Sequence, residues 1–160
     1  MTPATPPPVT PQRLTRATRS EMHALTALCL ASKAHWGYDA HFLAACEAEL
    51  TFTTQDLSQH VAVIRRGPGF AGVVQASLSG DAAELDRLFV APGAIRQGLG
   101  RALMGWVTAD LRAAGGTALF IASDPGAVGF YEGLGAEIIG TEASGSIPGR
   151  RLPRLPLPLG

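Results

Sequence analysis

Apolar residues recur along this chain with two periods, and the switches between them lay out its elements. Met22, Leu25, Leu28 and Cys29 fall three and four apart, which is one face of a helix. Thr18 and Glu21 ahead of them form a capping box, so that helix opens at Thr18 and runs to about Ser32. Residues 12–17 before it read as a short strand. Asp39 can cap a second helix whose apolar face holds Phe42, Cys46 and Leu50. Residues 61–64 and 70–78 are dense in apolar and β-branched side chains and read as strands, with Arg65-Arg66-Gly67-Pro68-Gly69 as the turn between them. Ser79-Gly80-Asp81 then turns the chain into a strand from about residue 83 to 90.

Helical spacing returns at Leu99, Ala102, Leu103, Trp106, Val107, Leu111 and Ala114, and Gly115-Gly116 stops it. Residues 118–122 suit a short buried strand. Asp124-Pro125 reads as a cap and first position of a helix carrying Ala127, Val128, Tyr131 and Leu134. Residues 136–141 and 152–159 are the last strand candidates. Leu155, Leu157 and Leu159 alternate, and the prolines among them suggest an edge strand in preference to a polyproline ligand. Hairpin-linked strands followed by alternating helix and strand predict an α/β fold: a mixed sheet with helices on both faces.

With 160 residues the chain is long enough for one full core, read as a single domain over residues 12–160. Residues 1–11 hold five prolines and read as a disordered tail with neither the basic nor the apolar region of a signal peptide. Thirteen basic side chains balance thirteen acidic ones, which argues against nucleic acid or an anionic membrane as partner. No apolar run has the length of a membrane span. Cys29 and Cys46 lie in apolar helical patterns and read as core residues of a cytoplasmic protein. Four scattered histidines supply no metal site.

The most informative stretch runs from Leu88 to Leu103. A buried strand enters a turn with Gly98 and Gly100, then passes straight into an amphipathic helix. Unpaired N–H groups at such a helix start favour an anion, and the missing Cβ atoms let a pyrophosphate approach the backbone. A dinucleotide fingerprint fits less well, because its third glycine is absent. Downstream stands Asp124-Pro125-Gly126-Ala127-Val128-Gly129-Phe130-Tyr131-Glu132-Gly133-Leu134-Gly135-Ala136.

These two segments together resemble the signatures of the GNAT superfamily of N-acetyltransferases. The first matches Arg/Gln-x-x-Gly-x-Gly/Ala, with Ile95 where the family usually carries Arg or Gln. The second matches Asn-x-x-Ala-x-x-Phe-Tyr-x-x-x-Gly-Phe, with Asp124 for Asn and Ala136 for Phe. The resemblance implies a mostly antiparallel sheet of about seven strands flanked by about four helices. It also implies acetyl-CoA as cosubstrate, no metal, and a small-molecule or peptide amine as acceptor, with a homodimer among the expected assemblies. Cofactor contacts are implied for Leu88, Phe89, Val90, Arg96, Gln97, Gly98, Leu99, Gly100, Arg101, Asp124, Ala127 and Phe130. Tyr131 becomes the acid for the leaving thiolate.

Transfer to an amine requires a base, an oxyanion site and an acid. Glu84 lies six residues before Val90, an offset at which some family members carry a glutamate base, and unbroken alternation puts Glu84, Asp86, Leu88 and Val90 on one face. Asp86 is the substitute base, and both carboxylates also read as solvated strand-end charges. His35, Trp36 and Tyr38 sit in a loop suited to an acceptor pocket wall, although Trp36 and Tyr38, Trp36 above all, also suit a core plug between two helices. Arg150 reaches an acceptor carboxylate or lies on the surface. An acyl-CoA-binding regulatory module without turnover and a nucleotide-binding domain are the other function classes.

Overall fold

The computed structural model describes residues 10–35, 37–94 and 97–160. The expectations for Trp36, for Ile95 and Arg96, and for the tail through residue 9 lie outside the described residues. Seven strands form one sheet: β1 (Gln12–Arg13), β2 (His60–Arg66), β3 (Gly69–Ser79), β4 (Ala82–Val90), β5 (Ala118–Ala122), β6 (Gly140–Ala143) and β7 (Arg151–Pro158). Their order is β1-β2-β3-β4-β5-β7-β6, antiparallel throughout except between β4 and β5. The helices are α1 (Arg19–His35), α2 (Ala40–Leu50), α3 (Leu99–Ala113) and α4 (Val128–Gly133). This is the expected mixed, mostly antiparallel sheet with helices on both faces.

Local chemistry starts the first two helices as read. The Thr18 N–H donates to Glu21 Oε1 at 3.0 Å, and the Glu21 N–H donates back to Thr18 Oγ1 at 3.1 Å. Asp39 Oδ1 accepts from the Phe42 N–H at 2.8 Å. α1 runs a turn past Ser32 to His35, because nothing breaks it before Gly37.

Alternation along the strands feeds two cores. Val61, Val63 and Val73 meet Leu25, Cys29, Cys46 and Leu50 beneath α1 and α2. Ala62 and Val74 meet Leu103, Val107 and Leu111 beneath α3, with Leu119, Ile121 and Leu155 continuing that layer. Each such large side chain, fully buried, stabilises the fold by about 1.5–3 kcal/mol. Burial pushes the Cys29 thiol up to about 12, against the opposing charges of Arg87 and Lys33, so it stays a neutral core group.

β4 departs from the expected alternation. Gln75 of β3 faces Arg87 while Ala76 faces Leu85, which leaves Asp86 without a partner in a β-bulge. The phase of the strand flips there. Ala83 and Leu85 pack into the α3-side core before the bulge, and Leu88 and Val90 do so after it. Glu84 therefore lies on the opposite face from Leu88 and Val90, and the shared face expected for Glu84, Asp86, Leu88 and Val90 does not exist. One inserted residue is invisible to a period-two count.

Arg87, buried beyond the bulge, donates to Gln75 Oε1 and lies 3.3 Å from Asp56 Oδ1. Burial pushes the Asp56 carboxyl upward, but hydrogen bonds from Gln75 and the Thr53 N–H, with the Arg87 charge, outweigh it and hold it below the usual range. A depressed carboxylate contributes stability that is complete above its unfolded pKa and is lost as pH falls through the folded one. Asp56→Asn should thus lower the melting temperature at neutral pH and flatten its decline below about pH 4, as calorimetry across pH 3–7 would register.

β7 is not the edge strand its prolines suggested. It lies between β5 and β6. The Arg154 carbonyl accepts from the Ile139 N–H, so even-numbered residues of β7 direct their backbone groups toward β6. The Pro153 carbonyl accepts from the Ser123 N–H, so odd-numbered ones face the β5 side. Pro156 and Pro158 would thus donate only beyond the end of the β6 ladder, which spans Arg151 to Arg154. The same prolines explain why β6 starts at Gly140 and not at residue 136. Past Arg154, β7 offers no N–H on that side, and Ile138 and Ile139 are left 50% and 62% exposed.

Candidate functional site

β4 and β5 run parallel only from Ala82–Ala118 to Glu84–Phe120, and beyond that they part. Backbone groups of β4 past Glu84 that face β5 have no ladder partner there. The opening is a cleft of about 810 Å³. Its walls carry Leu88, Phe89 and Val90 of the splayed strand, the start of α3, and Tyr131 of α4. A second concavity of about 680 Å³, around Met22, Leu30 and Phe52, holds none of these elements.

α3 enters the cleft without a cap. Gly98 stands at its N-cap with φ +77°, a left-handed conformation that side chains resist, and a Cβ built there meets nothing within 4 Å. No described side chain bonds the first-turn N–H groups, so these donors and the positive end of the helix dipole are available to an anion. Gly100 also lines the cleft, and a Cβ there would stand 3.3 Å from the Phe130 ring, so its absence makes room for packing as well. Leu99 sends its side chain into the core and contributes only backbone to the turn. Arg101 lines the cleft and is exposed. Gln97 is turned aside, accepting from Arg66 Nη2 at 3.0 Å, and is absent from the cleft wall. Arg66, the last residue of β2, is thereby brought to this end of the site; only the fold could reveal that.

Tyr131 is almost buried, its ring edge-on to Phe130 with centroids 5.2 Å apart. No described residue hydrogen-bonds its hydroxyl, and the side chain lines the cleft. Burial, assisted by the negative charge of Asp124, pushes the phenol well above its ordinary pKa, so it holds its proton throughout the neutral range. Ala127 and Phe130 line the same wall.

Asp124 precedes the 3-10 turn Pro125–Ala127 but its side chain caps nothing. Its carboxylate instead accepts from Tyr38 Oη at 3.0 Å and from Arg150 Nη2 at 2.9 Å, with Lys33 Nζ at 3.7 Å. Arg150 also donates to the Tyr38 hydroxyl at 2.9 Å. The expected capping role thus gives way to a latch between segments far apart in sequence. Tyr38, stacked on Phe42 at 4.0 Å, braces the cleft from outside and is not on its wall. His35 ends α1, exposed, and is not on the wall either.

Two carboxylates were candidates for the base, and the fold treats them differently. Glu84 is held by Arg154 at 2.8 Å, in an ion pair that Glu142 shares at 2.6 Å. Asp86 is open to the cleft yet surrounded closely enough that desolvation raises its carboxyl, with Glu84 and Asp56 adding repulsion; the Ser77 hydroxyl at 3.4 Å and the Arg87 charge oppose. Among the described residues no cluster of three or more His, Cys, Asp or Glu side chains is placed to hold a metal, and no helix is long and apolar enough to cross a membrane.

A parted parallel strand pair thus stands beside an uncapped helix start in a mixed α/β fold. Residues 20–144 match the family described as Acetyltransferase (GNAT) domain, and the chain belongs to that family. Among solved structures, PaiA N-acetyltransferase from Thermoplasma acidophilum in complex with coenzyme A matches with TM-score 0.75 and 13% identity, covering 93% of this chain and 98% of that one. An aminoglycoside 6'-N-acetyltransferase complexed with coenzyme A matches with TM-score 0.72 and 14% identity, over 93% and 96% of the two chains. The ribosomal-protein-S18-alanine N-acetyltransferase from Escherichia coli matches with TM-score 0.67 and 20% identity, over 94% and 93%. No curated protein matches the sequence.

Proposed function

We propose that this protein is an acetyl-CoA-dependent N-acetyltransferase acting on a primary amine by direct attack. The observation that carries the reading is one cleft bounded by three things: unpaired β4 backbone, the uncapped start of α3 and the hydroxyl of Tyr131. The residues present suit the cosubstrate, since Gly98 leaves open the space a Cβ would fill, where a pyrophosphate can reach the backbone. Bound acetyl-CoA supplies a thioester carbonyl, and the amine and thioester become an amide and a free thiol. The first turn of α3 and Arg101 hold the phosphates. Free N–H groups of β4 near Leu88 to Val90 stabilise the oxyanion. Asp86, directly or through a water, takes the proton the amine nitrogen must lose. Tyr131 donates its hydrogen bond to the departing sulfur. The raised pKa of Asp86 and its freedom from an ion pair support it over Glu84 as the base.

The test is a panel of amine acceptors scored by free-thiol release, beside a thermal-shift titration with acetyl-CoA. Release with at least one amine is expected. Binding without release from any amine would instead support a non-catalytic acyl-CoA-binding module, and a shift with ATP or NAD but none with CoA would end both readings. Acetyl-CoA at a hundredfold excess over its dissociation constant should stabilise the fold by about 2.7 kcal/mol. Gly98→Val should remove most of that shift. Because the left-handed backbone alone strains any branched residue, Gly115→Val is the control: φ is +97° there, with the same open surroundings, at the far end of α3. It should lower the apo melting temperature and keep the ligand shift. Equal ligand shifts in both variants would mean the cradle is elsewhere.

A further inference from the structure

The bulge in β4 is held by the residue that follows it. Arg87 is buried on the face toward α2, where Nη2 donates to the carbonyls of Glu49 and Thr51 at 2.9 and 3.1 Å. Its other terminal nitrogen serves Gln75 and faces Asp56, and the guanidinium lies 4.1 Å from the centroid of the Phe52 ring. These partners come from β3, from the end of α2 and from the segment after it. A planar fork can reach them together; a single ammonium cannot. The extra residue of a bulge can in principle sit at neighbouring positions along a strand, and a slip by one residue reverses which side chains face which side. With Arg87 anchored, the unpaired position falls on Asp86, and the strand beyond it presents Leu88 and Val90 to the α3-side core.

We propose that Arg87 is a positioning residue for the transfer reaction: by pinning the bulge, it sets where the Asp86 carboxylate stands in the cleft. This rests on the reading of Asp86 as base. A second consequence follows from charge. Asp86 is faced by Glu84 and Arg87 on its own strand, the Ser77 hydroxyl on β3 and Asp56 from the segment after α2, while Glu49 of α2 lines the same cleft and is bonded by Ser146. Lys33 and Arg101 stand elsewhere on the cleft wall and Arg154 is paired with Glu84, while the charge of Arg87 opposes the upward shift of Asp86, so removing it moves that titration to higher pH.

The test is a double-mutant cycle of Arg87→Met and Asp86→Asn, reading kcat, acetyl-CoA affinity and the pH dependence of kcat/KM. Arg87→Met should lower kcat by roughly tenfold to a hundredfold, in keeping with the cost of misplacing a reacting group. Acetyl-CoA affinity should stay within about twofold, since the phosphate turn is built elsewhere. The acid limb of kcat/KM should move to higher pH. In the Asp86→Asn background the same change should do little more, because it acts through a group already removed. Should Arg87→Met not fold, Arg87→Lys carries the cycle: it keeps the charge facing Asp56 and loses the fork, so kcat should fall while the acid limb stays near its original place. Wild-type kcat and pH profile in both Arg87 variants, or equal losses with and without Asp86, would overturn the proposal. A wild-type profile for Asp86→Asn alone would instead overturn the assignment of the base.

Discussion

Asp86→Asn is expected to lower kcat/KM by about 10²–10⁴-fold near neutral pH while raising the melting temperature. The two effects share one cause. Desolvation within the cleft, with repulsion from Glu84 and Asp56, makes the charged carboxylate unfavourable, so the folded state holds the Asp86 proton to higher pH than the unfolded chain does. A group with a raised folded pKa contributes stability fully present below its unfolded pKa and lost as pH rises through the folded one. At pH 7 that contribution is gone, and the partly desolvated charge beside Glu84 and Asp56 is a cost that asparagine removes. An alkylamine with a pKa near 10 arrives mostly protonated, so the loss of rate should be greatest near neutrality and partly relieved in alkali. Glu84→Gln should do far less, since it breaks an exposed ion pair with Arg154, an interaction worth about 0–1 kcal/mol. A pH–rate profile for each variant, beside a melting curve, separates them. Collapse of the Glu84→Gln profile with an intact one for Asp86→Asn would restore Glu84 as base.

Tyr131→Phe is expected to lower kcat by roughly 10²-fold or more and to leave acetyl-CoA affinity nearly unchanged. The hydroxyl bonds no described residue, so removing it should disturb the fold little, and the loss can be read as chemistry. The raised pKa shapes the second half of the prediction. A phenol of ordinary pKa would begin to lose its proton near pH 10 and take the rate with it. Tyr131 should keep kcat level to beyond that point. It gives up its proton reluctantly, so much of its help is a hydrogen bond to the developing thiolate. Full kcat in Tyr131→Phe would make the residue a packing element.

Much of this was legible along the chain because it is local. The capping box at Thr18 and Glu21, the Asp39 cap and the face of α3 each lie within a few residues of one another, and the glycine turn into α3 is a contiguous motif. What was missed depends on residues far apart. The bulge is a mismatch of count between β3 and β4, and neither strand reveals it alone. Asp124 has the look of a cap, yet partners 86 and 26 residues away claim its carboxylate. Glu84 sits at a familiar offset, but only the fold brings Arg154 to it. Prolines in β7 look like marks of an edge, but alternation places two of them where no neighbour asks for a donor.

The position of β7 bears on how the chain folds while it is being made. Residues 151–158 leave the ribosome after every other strand, yet they belong between β5 and β6. Until they arrive, β5 has an open edge, and Leu119 and Ile121 lack the cover that Leu155 and Leu157 bring. A nascent chain at that stage carries an unpaired, apolar strand, the kind of edge through which chains associate wrongly. Completion is then an insertion between two strands already synthesised, so β6 must be kept away from β5, or displaced from it, as the last strand enters.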